Sequence, residues 1–315
     1  IWFHSDDRMT RGTRSIGHER SIFMLSEYTR NEMPWLLIAA SRAARLSDST
    51  WGESSFKKLS KLNEQSEENF QKNFGDWISN KEIIDKYKDL FQSNTPFSHC
   101  VIDNFLSEEY SEKLYENFPT LKTNPDLQWH KYYNPIEVKY ACDSLDDFND
   151  VVQSYFYNLS SSIFLNTIKY ITNIEDLEVD EYLHGAGVHL HPRRGRLNMH
   201  LDYEKHPYSG KQRRINIILF MNKNWNPSWN GANEFWNDTM TYCVKKNEIK
   251  FNRALIFKTN EISWHGLPEP LMCPEEVYRK SLAYYYVSPL ISKSNNDKNG
   301  SNKDGYRTKA CFKKR

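Results

Sequence analysis

Cysteine is scarce in this sequence and unpaired in pattern. The five residues (Cys100, Cys142, Cys243, Cys273 and Cys311) are scattered, odd in number and form no CxxC pair. That argues against a disulfide framework and a thiolate zinc site, and gives the expectation of a reducing, cytoplasmic setting. Excess charge is missing too. A formal charge of +1 over 315 residues offers no global case for nucleic acid or an anionic membrane as partner. Near the start the longest apolar run, Trp35 to Ala40, falls far short of the ~20 residues that cross a bilayer. No secretory signal is visible, although the first residue is Ile1 and not Met. Internal repeats are absent. Nothing in the sequence reports an oligomeric state.

Arginine is absent over a long stretch, and that absence divides the chain. Residues 1–56 hold seven arginines and no lysine, whereas 57–192 hold many lysines and no arginine. We read 1–56 as an appended or disordered segment, too acidic at Asp6, Asp7, Glu19, Glu27 and Glu32 for a typical organellar presequence. Residues 57–95 form a helical lead-in, 96–290 the main domain and 291–315 a polar tail rich in Ser, Asn, Lys and Asp. A hydrophobic content of 38% with 14% aromatics supports a sizeable core.

Within the domain the patterning predicts helix over 64–92, a strand and turn over 96–105 and a helix from Ser107 to about Asn117. A longer helix follows Ser144 as N-cap, with Phe148, Val151, Val152, Tyr155, Leu159 and Ile163 at 3.6-residue spacing. Strands are expected at 179–190, 197–203, 213–222, 253–259 and 281–288, rich in β-branched and aromatic residues. Helices first and closely spaced strands after them describe an α+β chain: an antiparallel barrel or sandwich buttressed by N-terminal helices.

The chemistry sits in the strand-rich part. In His200-Leu201-Asp202 the outer two residues stand i and i+2 on a strand and share a face, so they can grip one ion together. A third ligand from another strand completes two imidazoles and one carboxylate, a set that leaves positions open and suits non-haem Fe(II). The triplet alone is a weak signal, since His4-Ser5-Asp6 matches it as well. His265, in Ser263-Trp264-His265-Gly266 after an apolar strand, is the candidate partner; by itself it reads equally as a hydrogen-bonded corner residue. Alternation on the last strand turns Arg279, Ser281 and Ala283 to one face, where an arginine beside small side chains makes a bidentate grip for a carboxylate. Between Lys57 and Leu290 arginine occurs at only seven positions, Arg193, Arg194, Arg196, Arg213, Arg214, Arg253 and Arg279. For most of these we take surface salt bridges as the meaning, and the run Lys211–Arg214 as a solvated hairpin.

Joined in order, these pieces resemble the Fe(II)/2-oxoglutarate-dependent dioxygenases of the prolyl 4-hydroxylase-like branch. The resemblance rests on His200-x-Asp202, the Met221–Trp225 turn, Gly231–Glu234, Trp264-His265-Gly266 and Arg279-x-Ser281, and runs from about Pro96 to Pro289. It implies a double-stranded β-helix (jelly-roll) core, iron on His200, Asp202 and His265, and Arg279 on the distal carboxylate of 2-oxoglutarate, helped by Ser281. Phe220 falls where many relatives carry a Tyr, so that hydroxyl is lost; Asn216 and His191 become further cosubstrate contacts. The implied reaction consumes 2-oxoglutarate and O2, with ascorbate as a candidate accessory, releases succinate and CO2, and hydroxylates a C–H bond of a prolyl residue in a protein or of a small molecule. Residues 123–145 and 203–213 are candidate rim loops, with Trp129, Tyr132 and Tyr133 facing substrate. The competing class is a jelly-roll recognition module that binds metal without turnover.

Overall fold

A computed structural model describes residues 67–291 and 306–312. The appended segment 1–56, the first part of the lead-in and the decoy triplet at His4 lie outside the described residues.

The lead-in is helical but interrupted. Helix α1 (Glu67–Lys72) and a 3-10 turn (Asp76–Ser79) precede α2 (Lys81–Ser93). The 64–92 helix breaks because Gly75 and Asn80 take extended backbone, and Asn80 then caps α2 by accepting from the Glu82 and Ile83 amides. Helix α3 (Glu108–Glu116) follows Ser107, which caps it by accepting from the Tyr110 amide. The long helix after Ser144 is instead two. Ser144 precedes only a 3-10 turn and makes no cap bond; Asn149 caps α4 (Asp150–Ser160) and Ser161 caps α5 (Ser162–Thr172). Asn173, at φ 55°, ends α5 in the left-handed region.

The strands are β1 (His99–Ile102), β2 (His130–Tyr133), β3 (Glu137–Cys142), β4 (Glu178–Val179), β5 (Gly187–His191), β6 (Arg196–Leu201) and β7 (Gln212–Phe220). They continue as β8 (Asn233–Trp236), β9 (Cys243–Asn247), β10 (Arg253–Lys258), β11 (His265–Leu267), β12 (Arg279–Ser288) and β13 (Cys311–Phe312). All pair antiparallel in the order β1-β10-β7-β12-β5-β3-β6-β11-β8-β9, with β2 on β3, β4 on β12 and β13 on β6. Curled on itself, this sheet is the double-stranded β-helix core. One wall, centred on β7 and β12, buries Ile215, Ile217, Leu219, Leu282, Tyr284 and Tyr286 against the helices. Phe74, Trp77, Phe105 and Phe164 lock the helical layer through stacked and edge contacts.

Two expectations are corrected. The rim loop 123–145 contains the β2–β3 hairpin, whose β3 joins the two halves of the sheet through β5 and β6. The polar tail is not uniformly solvated: Tyr306 is buried, and Cys311–Phe312 form a strand. Its aromatic residues have apolar area to bury, which the Ser/Asn/Lys stretch before them lacks. Among the described residues no helix is long and apolar enough to cross a membrane.

Candidate metal centre and its pocket

Strand register assembles the centre. In the β6–β11 pair His265 lies directly opposite His200, and Asp202 follows the end of β6, so two imidazoles and a carboxylate meet at one place. The His200 Nδ1–H donates to the Asn198 carbonyl at 2.9 Å, and the His265 Nδ1–H to the Ser263 carbonyl at 2.8 Å. Each ring is held by the carbonyl two residues earlier, which places the lone pair on Nε2. Those Nε2 atoms stand 3.6 and 3.4 Å from the Asp202 carboxylate oxygens. Burial pushes the His265 imidazole down to about 4, against the pull of Asp202. Burial also resists ionisation of Asp202, but Arg213 and the imidazoles overcome it and hold the carboxyl well below its usual range.

Three groups able to offer electron pairs therefore converge, all ligand atoms within 4.8 Å of one another. A cation is the group such a donor set fits, and two nitrogens with one carboxylate suit a first-row transition metal with open positions.

The carboxylate is itself held. Asn216 Nδ2 donates to Asp202 Oδ2 at 2.8 Å, and Arg213 approaches the same oxygen at 3.2 Å. Arg213 Nε donates to Asn216 Oδ1 at 2.8 Å, closing a triangle. The guanidinium lies 3.3 Å from the Tyr285 ring centre and 4.8 Å from that of Tyr203. Arg213 is thus a buried orienting group and not part of a solvated hairpin; Lys211, on the surface, pairs with Glu178. Asn216, expected to contact cosubstrate, lines the same cavity and is hydrogen-bonded to Asp202 and Arg213. A clue to Arg213 lies in its being an arginine in a chain that otherwise prefers lysine, but only the fold turns it inward.

The other end of the pocket is built on β5, β7 and β12. Arg279 is 2% exposed. Its Nε donates to the Gly231 carbonyl at 2.8 Å, Nη1 reaches Ser281 Oγ at 3.4 Å, and its plane lies 5.0 Å from the Phe220 ring centre. Gly231 is required here. Its φ is +94°, and an added Cβ would come within 2.8 Å of Leu271. Among the described residues no carboxylate pairs with Arg279, and burial lowers its pKa to about 10. Opposite it in register stands His191, with His189 opposite Ser281. Both nitrogens of His191 and Nε2 of His189 are buried without a partner. Burial, reinforced by Arg279 and Lys139, keeps both rings well below the usual histidine range, hence neutral.

The three metal donors and Arg279, Ser281, His191 and Asn216 line one cavity of ≈ 500 Å³. Tyr132, Tyr182, His184 and Tyr208 line it as well. Of the aromatics expected to face substrate, Tyr132 does line the cavity, Tyr133 is 80% exposed, and Trp129 packs against the core with its indole N–H on the Asn124 carbonyl.

Residues 186–287, the span holding the three metal donors, Arg213, Asn216, Arg279, Ser281, His189 and His191, match the family model of the 2OG-Fe(II) oxygenase superfamily. No curated protein matches the sequence. Among solved structures, a Trichoplax adhaerens prolyl hydroxylase in complex with a hypoxia-inducible-factor peptide fragment is similar at 16% identity and TM-score 0.48, over 68% of this chain and 96% of that one. A prolyl 4-hydroxylase from Phytophthora capsici is similar at 18% identity and TM-score 0.47, over 71% and 67%. HygX from Streptomyces hygroscopicus, with nickel, 2-oxoglutarate and hygromycin B bound, is similar at 13% identity and TM-score 0.41, over 66% and 91%. The matched segment offers residues that fit both groups in the family model's name. The His200–Asp202–His265 donors fit the iron, and the unpaired guanidinium of Arg279 fits the carboxylate of 2-oxoglutarate.

Proposed function

We propose that the chain is a 2-oxoglutarate-dependent Fe(II) dioxygenase that hydroxylates a C–H bond, releasing succinate and CO2, with a prolyl residue of a protein as the first substrate to test. The observation that carries this reading is Arg279: a buried cation with no carboxylate partner among the described residues, in one cavity with three converging metal donors. A module that bound metal for recognition alone would have no use for that unbalanced charge.

The chemistry of dioxygen activation belongs to the bound iron and cosubstrate. What the chain supplies is position and charge. His200 and His265 present Nε2 because their Nδ1 atoms are engaged by carbonyls. Asp202 lowers the net charge of the metal, and the Arg213–Asn216 pair keeps its carboxylate from turning away. Arg279 takes the distal carboxylate in its fork, and Ser281 stands beside it. Phe220 gives the guanidinium a face to rest on but no hydroxyl; His191, with both nitrogens unsatisfied, can supply the hydrogen bond that Phe220 does not.

Anaerobic difference spectroscopy with Fe(II) and 2-oxoglutarate tests the reading. Wild type should develop the weak visible charge-transfer band of a keto acid chelated to ferrous iron. Arg279→Ala should need ~30-fold more 2-oxoglutarate for it, the equivalent of about 2 kcal/mol for a lost charge-assisted contact. Iron binding by wild type with no band at any 2-oxoglutarate concentration would sink the proposal.

A further inference from the structure

The metal ligands have a neighbour that the reaction does not need. On the side of β6 away from β11, β3 pairs only with Arg196 and Leu197. Further along, the backbone at His200 and Leu201 pairs with β13, Phe312 facing His200 and Cys311 facing Leu201. Paired residues on adjacent strands direct their side chains to the same face. Phe312 therefore points where His200 points, and its ring stacks on the His200 imidazole with centroids 5.2 Å apart and planes at 26°. Ala310 and Phe312 both line the cavity of the metal donors.

The rest of the segment is held at its other end by main-chain bonds. The Glu204 and Lys205 amides both donate to the Arg307 carbonyl, at 2.7 and 3.0 Å, and the Arg307 amide donates to Glu204 Oε2 at 3.0 Å. The Arg307 guanidinium reaches the carbonyls of Asp202 and Asn260. Between these two attachments Thr308, Lys309, Ala310 and Cys311 are exposed. Residues 306–312 thus lie along 200–205, anchored by buried Tyr306 and by Arg307 at one end and by the two-residue strand β13 at the other, with an exposed middle. Main-chain pairing with a side-chain pocket at one position is the way sheets capture extended peptides, and a segment whose middle is exposed and which pairs through only two strand residues opens at smaller cost than the sheet interior.

We infer that the β6 edge at His200–Leu201 is the docking edge for an extended peptide substrate, and that residues 306–312 are a displaceable stand-in occupying it. The inference rests on the dioxygenase reading above and gives it a substrate class: a polypeptide in extended conformation. The residue taking Phe312's register position is the one presented to the metal. An incoming peptide must displace the resident segment, so affinity is set by the difference between the two.

The test is fluorescence anisotropy with a labelled peptide of sequence Tyr-Arg-Thr-Lys-Ala-Cys-Phe, the chain's own residues 306–312, added to the full chain. Arg307→Ala/Phe312→Ala, which weakens the resident segment, should bind the probe at least ~10-fold more tightly than wild type. Changing the last probe residue to Ala should lower its affinity. Equal affinity in both proteins, or binding in neither, overturns the inference and makes the strand a fixed wall. Hydrogen exchange on wild type decides the matter independently of how the variant folds. The Glu204 and Lys205 amides should exchange at least ~100-fold faster than those of β12, and protection equal to β12 overturns the proposal. A charge-transfer band without probe binding removes this inference alone; probe binding without the band keeps the docking edge and removes the dioxygenase.

Discussion

The two ends of the cavity are built on opposite plans. At the metal end nearly every polar group has a protein partner: Asn198 and Ser263 carbonyls on the imidazoles, Asn216 and Arg213 on the carboxylate. At the Arg279 end one guanidinium has no counter-ion among the described residues, and neither ring nitrogen of His191 has a hydrogen-bond partner. The first plan holds a geometry ready before the metal arrives. The second leaves polar capacity for a molecule that brings its own oxygens. A buried group without partners costs about 1–3 kcal/mol, so the empty capacity marks where binding energy is to be gained.

Breaking the metal end should cost most. Asp202→Ala removes the only carboxylate of the donor set and strands Arg213 without its anion. Tight Fe(II) binding should disappear in a metal titration, and urea denaturation of the metal-free protein should show a loss of about 3 kcal/mol for an unpaired buried charge. Arg213→Met keeps the three ligands and removes what orients one of them. Its Fe(II) affinity should fall by about 10- to 100-fold, the usual range for a residue that positions a ligand. An affinity equal to wild type would reduce Arg213 to a packing residue between Tyr203 and Tyr285.

The deep end should respond through cosubstrate, with metal affinity unchanged. Arg279→Lys keeps a charge but loses the fork, and calorimetry with 2-oxoglutarate should show roughly 10-fold weaker binding beside intact Fe(II) affinity. The smallest effect expected is at His191. In the unfolded chain a histidine protonates near about 6.5; in the fold this one is held neutral well below that. The unfolded state then binds more protons below that pH, so stability present above it is lost as pH falls. His191→Phe should flatten the decline between about pH 7 and about pH 5.5 in urea denaturation and weaken 2-oxoglutarate only a few-fold. A slope unchanged by the substitution would mean that the ring is protonated in the fold.

Several features are legible in the residues alone. Ser107 caps its helix as its position suggests, and the strands carrying Ile215–Phe220 and Arg279–Ser288 follow from β-branched and aromatic density. Short strands are not legible in this way. His130–Tyr133 and Glu137–Cys142 contain lysines, a glutamate and exposed tyrosines, and they are strands because β5 and β6 supply the partners their backbone needs. Asn149 displaces Ser144 as a helix cap because the Leu145–Asp147 turn closes first, a choice between neighbouring capping residues that local sequence leaves open.

The sequence by itself determined which chemistry was on offer: His200 near the end of a strand with Asp202 two residues on, and Arg279 and Ser281 on one face of another. Those follow from the period of two in an extended chain, a local property. It also limited the partners available, through a net charge near zero and cysteines without a pairing pattern. Tertiary structure alone decided that His265 faces His200, that Arg213 turns inward to Asp202 and that Asn216 holds the carboxylate. It alone laid Phe312 over the metal ligands. Each of these joins residues well separated along the chain, and register between distant strands is set by the packing of the whole sheet, not by any local pattern.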